Sequence, residues 1–128
     1  MDDSEWPLVR VTFGESIGDA EWAAYLDRMS TYPDRRERYV TLTDARSGAT
    51  PNATQRKRAS ELIERERERT VRWNVANATV FTSPLIRGVL TAIEWAAPSP
   101  VPMKSFATPE LAREWLAERY REATGKSL

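Results

Sequence analysis

Three times along the chain a β-rich stretch ends at a hydroxyl residue followed by proline, and a helical pattern begins. The junctions are Thr50-Pro51, Ser83-Pro84 and Thr108-Pro109. A Ser or Thr hydroxyl can accept the free N–H groups of a first helical turn, and proline at the first helical position gives up an N–H that has no partner there. This repeated pattern predicts a chain of alternating strands and helices.

The spacing of apolar residues gives the approximate bounds of these elements. Alternation predicts strands at 8–13, 39–44, 75–82 and 101–106, and helical spacing predicts helices at 19–30, 51–70, 84–95 and from 108 onward. Strands that are each followed by a helix imply right-handed crossovers and a mainly parallel sheet. We expect an α/β fold: a single domain over 1–128, with its core at about 6–122, four or five strands and about four helices.

The strands alternate, whereas parallel strands covered on both faces are usually continuous apolar runs. We assign the apolar side chains to one face and the polar ones, among them Thr41, Thr43 and Thr79, to the other; the apolar set is Val9, Val11, Val40, Leu42 and Val80. Most helices would then lie on one face. The Thr-rich face would be solvated, covered by the segment around Trp6, or paired with a second copy in a homodimer.

Composition narrows the classes of function. Lys plus Arg and Asp plus Glu both number 19, and this balance argues against a nucleic-acid binder. The chain has no Cys and no His, so the commonest metal ligands and the commonest general base are missing. No apolar run approaches the length of a membrane span, and the acidic start does not resemble a signal peptide. We expect a cytoplasmic protein that is not an enzyme and needs no cofactor or metal.

Ligands of open α/β sheets bind outside the carboxyl ends of the strands, so the turns at 14–18, 44–50 and 82–87 should share one rim. Ser47, with Arg46 beside it, could carry a phosphate near a helix N-terminus, or could be an ordinary loop residue next to a glycine. Thr50 is predicted to cap the following helix, with phosphorylation as the lesser alternative. Asp44 could bind a partner or cation, or close the strand in an Asx turn.

A second set of candidates follows the third predicted strand. Thr82 and Ser83 precede a helix, and Arg87 lies one turn into it, which is an arrangement that could bind an anion. The alternative interpretation is a helix cap with a solvent-exposed arginine.

The order of the predicted elements resembles the STAS superfamily, which includes bacterial anti-sigma factor antagonists of the SpoIIAA type. The closer resemblance is to the STAS/SEC14-type, SpoIIAA-like group, over about residues 6 to 122. It is carried by three segments: Leu42-Thr43-Asp44, Ser83-Pro84-Leu85-Ile86-Arg87-Gly88-Val89-Leu90 and Phe106-Ala107-Thr108-Pro109-Glu110-Leu111-Ala112-Arg113-Glu114-Trp115-Leu116.

The resemblance implies a regulatory module that binds a protein partner, a regulator or a kinase. In phospho-regulated members, a Ser or Thr in a motif close to Asp-Ser-Ser-Gly is phosphorylated at the start of the helix after this strand. Asp44-Ala45-Arg46-Ser47-Gly48 keeps the Asp, the Ser and the Gly but departs at Ala45 and Arg46. The resemblance therefore implies a degenerate phospho-switch at Ser47 or Thr50, and the SEC14-like members suggest a small apolar or anionic ligand as the alternative.

Overall fold

The computed structural model describes residues 1–47, 50–85, 87–88, 91–92 and 99–128. The strands in this part of the chain are β1 (Asp2–Glu5), β2 (Leu8–Thr12), β3 (Tyr39–Asp44), β4 (Asn74–Val80) and β5 (Met103–Phe106). Its α-helices are α1 (Asp19–Thr31), α2 (Ala53–Arg65), α3 (Arg67–Trp73) and α4 (Pro109–Thr124). A 3₁₀ turn, Tyr32–Arg35, follows α1.

The strands form one sheet in the order β1-β2-β3-β4-β5. Strands β2 to β5 are parallel, and β1 pairs antiparallel with β2. The prediction of an α/β fold with a mainly parallel sheet is confirmed. Among the described helices, none is long and apolar enough to cross a membrane.

Strand β1 was not among the predicted elements, because its sequence Asp-Asp-Ser-Glu has none of the apolar alternation of a strand. Arginines hold it in place instead. Asp2 accepts a bond of 2.6 Å from Arg10, and Asp3 accepts bonds of 3.1 Å from Arg28 and 2.9 Å from Arg35. Its acidic side chains are therefore part of the folded sheet.

The register of the parallel strands corrects the assignment of faces. Leu8 lies opposite Val40 and Val9 opposite Thr41, so Val9 and Val40 point to opposite faces of the sheet. Alternation within a strand shows which residues share a face, but it cannot relate one strand to the next. The prediction that the apolar residues of β2 and β3 share one face was wrong, and both faces have an apolar core.

One face carries an aliphatic core covered by α4. Leu116 and Ala112 of this helix are fully buried against the sheet. The buried strand residues of this core are Leu8, Val40, Leu42, Ala76, Ala78 and Val80.

The other face carries an aromatic core. Trp22 of α1, Ala59 of α2 and Trp73 of α3 pack on or around it, so three of the four helices named above share this face. Thr41 and Thr43 lie on the same face, beside Val9 and Val11, so the prediction that most helices lie opposite the Thr-rich face was wrong. Trp6 covers part of the same core, with its ring centroid 5.6 Å from that of Tyr32 and 5.5 Å from that of Tyr39. The expected covering by the segment around Trp6 is confirmed for this part of the sheet.

The polar residues of β3 and β4 on the aromatic face bond to one another. Thr41 Oγ1 donates to Asn77 Oδ1 at 2.5 Å, and Asn74 Nδ2 donates to the same oxygen at 2.9 Å. Thr41 is buried, and its hydroxyl has the hydrogen-bond partner that a buried polar group needs.

Two helix boundaries differ from the prediction. The long helix expected from Pro51 to about Thr70 ends at Arg65, and α3 begins after Glu66, whose backbone departs from helical geometry. Thr50 is not the cap: Asn52 caps α2, so that prediction was wrong. Thr108 does cap α4, as predicted, by accepting from the Leu111 N–H.

The helix expected at 84–95 lies partly outside the described residues. Of its positions, 84–85, 87–88 and 91–92 are described, and all six are helical. This agrees with a helix start at Pro84.

Candidate functional site

The turns after β2, β3 and β4 lie at one edge of the sheet, because these strands run parallel. Backbone bonds continue the pairing past the strand ends. Ala45 N–H donates to the Val80 oxygen and Phe81 N–H to the Phe106 oxygen, both at 3.0 Å. The structure therefore brings the predicted rim residues to one edge, which we call the carboxyl rim: residues 13–19, 44–47, 50–55, 81–85, 87 and 107–111.

Ser47 is bonded across the rim to the turn after β2. Its Oγ lies 2.9 Å from the Phe13 carbonyl oxygen and 2.8 Å from that of Gly14, so its single proton is shared between them. The hydroxyl thus links the turn after β3 to the turn after β2, more than 30 residues away in sequence.

Asp44 and Arg46 form an ion pair with each other. The Asp44 carboxylate accepts from Arg46 Nη2 at 2.6 Å and from Arg46 Nε at 2.9 Å. It also accepts the backbone N–H of Arg46 at 3.1 Å, which is the predicted Asx turn. The Arg46 side chain holds the pKa of Asp44 below its usual value. Arg46 is therefore already paired, and a phosphate on Ser47 would compete with Asp44 for it.

Two rim residues, Asn52 and Gln55, were missed by the sequence analysis. The Asn52 side chain accepts the Gln55 N–H at 2.8 Å, and the Gln55 side chain accepts the Asn52 N–H at 2.9 Å, which closes a capping box. Gln55 Nε2 also donates to the Ile17 carbonyl and the Asp19 carboxylate, both at 3.0 Å. The spacing Asn-x-x-Gln was the signal that could have identified them.

Thr50 is exposed and precedes this box, and it makes no hydrogen bond or ion pair within the described part of the chain. Its hydroxyl is accessible without breaking a fold contact. Of the two predicted phosphorylation sites, Ser47 therefore has a hydroxyl bonded to another turn of the rim, whereas Thr50 has no such bond within the described residues.

Arg87 fixes the end of β4. Its Nη1 donates to the Phe81 oxygen at 2.7 Å and to the Thr82 oxygen at 3.2 Å, and its backbone N–H donates to the Ser83 oxygen at 3.1 Å. Thr82 is exposed and Ser83 half-buried. An anion bound here would compete with two backbone carbonyls for Arg87, so anion binding by these three residues stays a prediction.

Exposed apolar side chains lie beside these fixed polar groups. Leu85, in the first turn of the helix that starts at Pro84, is 78% exposed, and Leu111, in the first turn of α4, is 49% exposed. Arg46 is also accessible, with 48% of its side chain exposed. The rim therefore presents apolar and basic groups on a scaffold that hydrogen bonds hold in place.

The described rim residues form hydrogen bonds that position backbone rather than a catalytic pair. Ser47 donates to carbonyl oxygens and has no base beside it in the described ranges, where Asp44 accepts only from Arg46. Among the described residues no group of acidic side chains could hold a metal ion.

No protein-family model, curated protein or solved structure matches this chain. The conclusions about function therefore rest on its own residues.

Proposed function

We propose that this protein is a non-catalytic regulatory module of the STAS, SpoIIAA-like type that binds a partner protein through its carboxyl rim. The order of strands and helices and the Asp44-Ala45-Arg46-Ser47 turn after β3 support this proposal. The partner would be a regulator or a kinase, and a second copy of the chain is the alternative partner.

The observation that carries the proposal is the exposure of Leu85 next to a rigid turn. Three hydrogen bonds from Arg87 hold the backbone at 81–83, and Leu85 follows directly with 78% of its surface in water. A large apolar side chain held on a rigid turn can bind a partner at low entropic cost. Leu111 and Arg46 extend the same edge with a second apolar group and a positive charge.

The contacts of Ser47 suggest how phosphorylation would change this surface. A phosphate on Oγ removes the proton that the Phe13 and Gly14 carbonyls share, and it brings negative charge against two carbonyl oxygens. Ser47 would have to leave its position, and Arg46 would turn from Asp44 toward the phosphate. The rim would then lose the bond that joins its two turns.

Affinity capture from the native host, read by mass spectrometry, tests the proposal. We expect Leu85→Ser to lose a partner that wild type retains, and Ser47→Asp to release it as well. Ile63→Ser is the matched control, because Ile63 is 46% exposed but lies on α2, away from the rim.

A partner that binds Leu85→Ser as well as wild type would overturn the assignment of the surface. Unchanged binding by Ser47→Asp would remove the switch and leave a constitutive interaction module. A co-purified lipid in native mass spectrometry would instead favour the alternative, a SEC14-like ligand binder.

A further inference from the structure

An open cavity lies at the opposite end of the sheet from the carboxyl rim. Its volume is about 340 Å³, and its lining residues are Pro33, Asp34, Arg36, Glu68, Arg69, Arg72 and Trp73. Residue 36 precedes β3 and residue 73 precedes β4, so the cavity lies at the amino ends of the parallel strands. We call it the amino-end cleft.

Three arginines and two carboxylates line the amino-end cleft, so its lining carries a net charge of +1. Arg69 is paired with Asp34 and with Glu66, the latter at 2.7 Å. One guanidinium is thus shared by two carboxylates, and the other two arginines of the lining face one carboxylate, that of Glu68.

Neither of these two arginines has a carboxylate partner within the described residues. Arg36 is exposed and makes no side-chain hydrogen bond there. Arg72 has its guanidinium 5.1 Å from the centre of the Trp73 ring, a contact that leaves its N–H groups free. Some of the other arginines pair with acids, as Arg28 and Arg35 do with Asp3.

The backbone at Arg36 gives no reason for an arginine at this position. Its φ of 55° and ψ of 40° are left-handed, and its N–H donates to the Pro33 oxygen at 3.2 Å to close the 3₁₀ turn. Glycine adopts this conformation without the steric cost that a side chain brings. The backbone alone closes this turn, so the turn does not need the Arg36 side chain. That side chain is therefore free to bind a ligand.

We propose that the amino-end cleft binds a small ligand that carries a phosphate group, with Arg36 and Arg72 as its guanidinium donors. Guanidinium groups stay charged at all physiological pH values and match the oxygen spacing of phosphate. The cavity has the size of a small-molecule site. Glu68 opposes the anion and limits the affinity.

An NMR titration of the full chain with inorganic phosphate and with glycerol phosphate tests this inference, against sodium chloride at equal ionic strength. We expect both phosphates to shift the Arg36, Arg72 and Trp73 signals beyond the effect of chloride. Shifts that equal those of chloride would overturn the inference, because they would report only ionic screening.

Three variants and one control locate the site. Arg36→Gly and Arg72→Gln should each weaken phosphate binding by about tenfold, which is the size expected for loss of one charged hydrogen-bonding group. Glu68→Gln should strengthen phosphate binding, because it removes a negative charge that repels the anion. Arg58→Gln should leave it unchanged, because Arg58 is equally exposed on α2 but does not line the cleft.

Arg36→Gly also separates binding from folding. We expect its melting temperature to equal or exceed that of wild type, because glycine fits the left-handed turn. Unchanged phosphate affinity in this variant, or an equal loss of affinity in Arg58→Gln, would overturn the inference. Neither result would bear on the rim, whose test uses different residues and a protein ligand.

Discussion

The two ends of the parallel sheet use their polar side chains in opposite ways. At the carboxyl rim, Ser47, Gln55 and Arg87 bond to backbone carbonyls of other turns. At the amino-end cleft, the guanidinium groups of Arg36 and Arg72 have no carboxylate or carbonyl partner among the described residues. The rim residues stabilise the fold, whereas the two arginines of the cleft are available to a ligand.

This difference changes what an exposed polar residue indicates about function. Ser47 and Arg46 look in the sequence like a phosphate site, but in the structure each already has a partner. Their involvement in a switch requires that existing bonds break. A ligand of the cleft would instead find its donors free, so binding there needs no rearrangement of the rim.

The largest effect should come from Gln55, which is only 3% exposed and joins two segments of the rim, 50–55 and 13–19. Gln55→Ala removes its bonds to the Ile17 carbonyl and the Asn52 N–H, and both groups then lose the partner they have among the described residues. We expect the free energy of unfolding to fall by roughly 2–4 kcal/mol, as for the loss of a buried hydrogen-bonded group. Urea denaturation measures it.

The matched control lies on the same helix. Arg58→Ala removes a large side chain from the exposed side of α2 and should change the free energy of unfolding by less than about 0.5 kcal/mol. An equally small effect of Gln55→Ala would contradict the view that polar side chains hold the rim together.

A smaller effect is expected at Ser47. Ser47→Ala removes one hydroxyl proton shared by two carbonyl oxygens at the edge of the sheet. The expected loss is about 1 kcal/mol, the usual net contribution of one hydrogen bond. Thermal unfolding measures it, and Thr50→Ala is the control, since Thr50 makes no such contact in the described part of the chain. A loss several times larger would make Ser47 a structural residue and contradict its role as a switch.

The strands and most helix starts could be predicted because they depend on local spacing. Apolar alternation located β2, β3 and β4 within two residues, and Thr108-Pro109 marked the start of α4. The acidic β1 was missed because arginines distant in sequence stabilise it, among them Arg28 and Arg35. The register of β2 on β3 also depends on contacts between segments, which is why the faces were wrongly paired.

The candidate rim could be located from the sequence, but its bonding could not. Parallel strands bring their carboxyl ends together, so Asp44, Ser47 and Arg87 were correctly placed at one edge. The partners of Ser47 lie 33 and 34 residues away, and no local pattern indicates them. No sequence motif indicates the amino-end cleft. Arg36 and Arg72 line one cavity only because α3 packs near the 3₁₀ turn.

The smallest effect concerns the Asp44–Arg46 pair and depends on pH. Hydrogen bonds from Arg46 lower the folded-state pKa of Asp44 below its usual value, so this pair stabilises the fold above that usual value, near 3.8. The contribution is lost as the pH falls through the lowered pKa, when the carboxylate takes up a proton. The pair is partly exposed, so we expect less than about 1 kcal/mol at neutral pH.

Asp44→Asn tests this by denaturation from pH 7 down to pH 2. Wild type should be the more stable at neutral pH, and the two curves should converge in acid, because the variant has no carboxylate to protonate there. Both proteins should still lose stability in acid, since Arg28 lowers the pKa of Asp3 in each. No difference at any pH would show that Asp44 acts through the geometry of its Asx turn, which asparagine can also form, and that its charge contributes nothing to the rim.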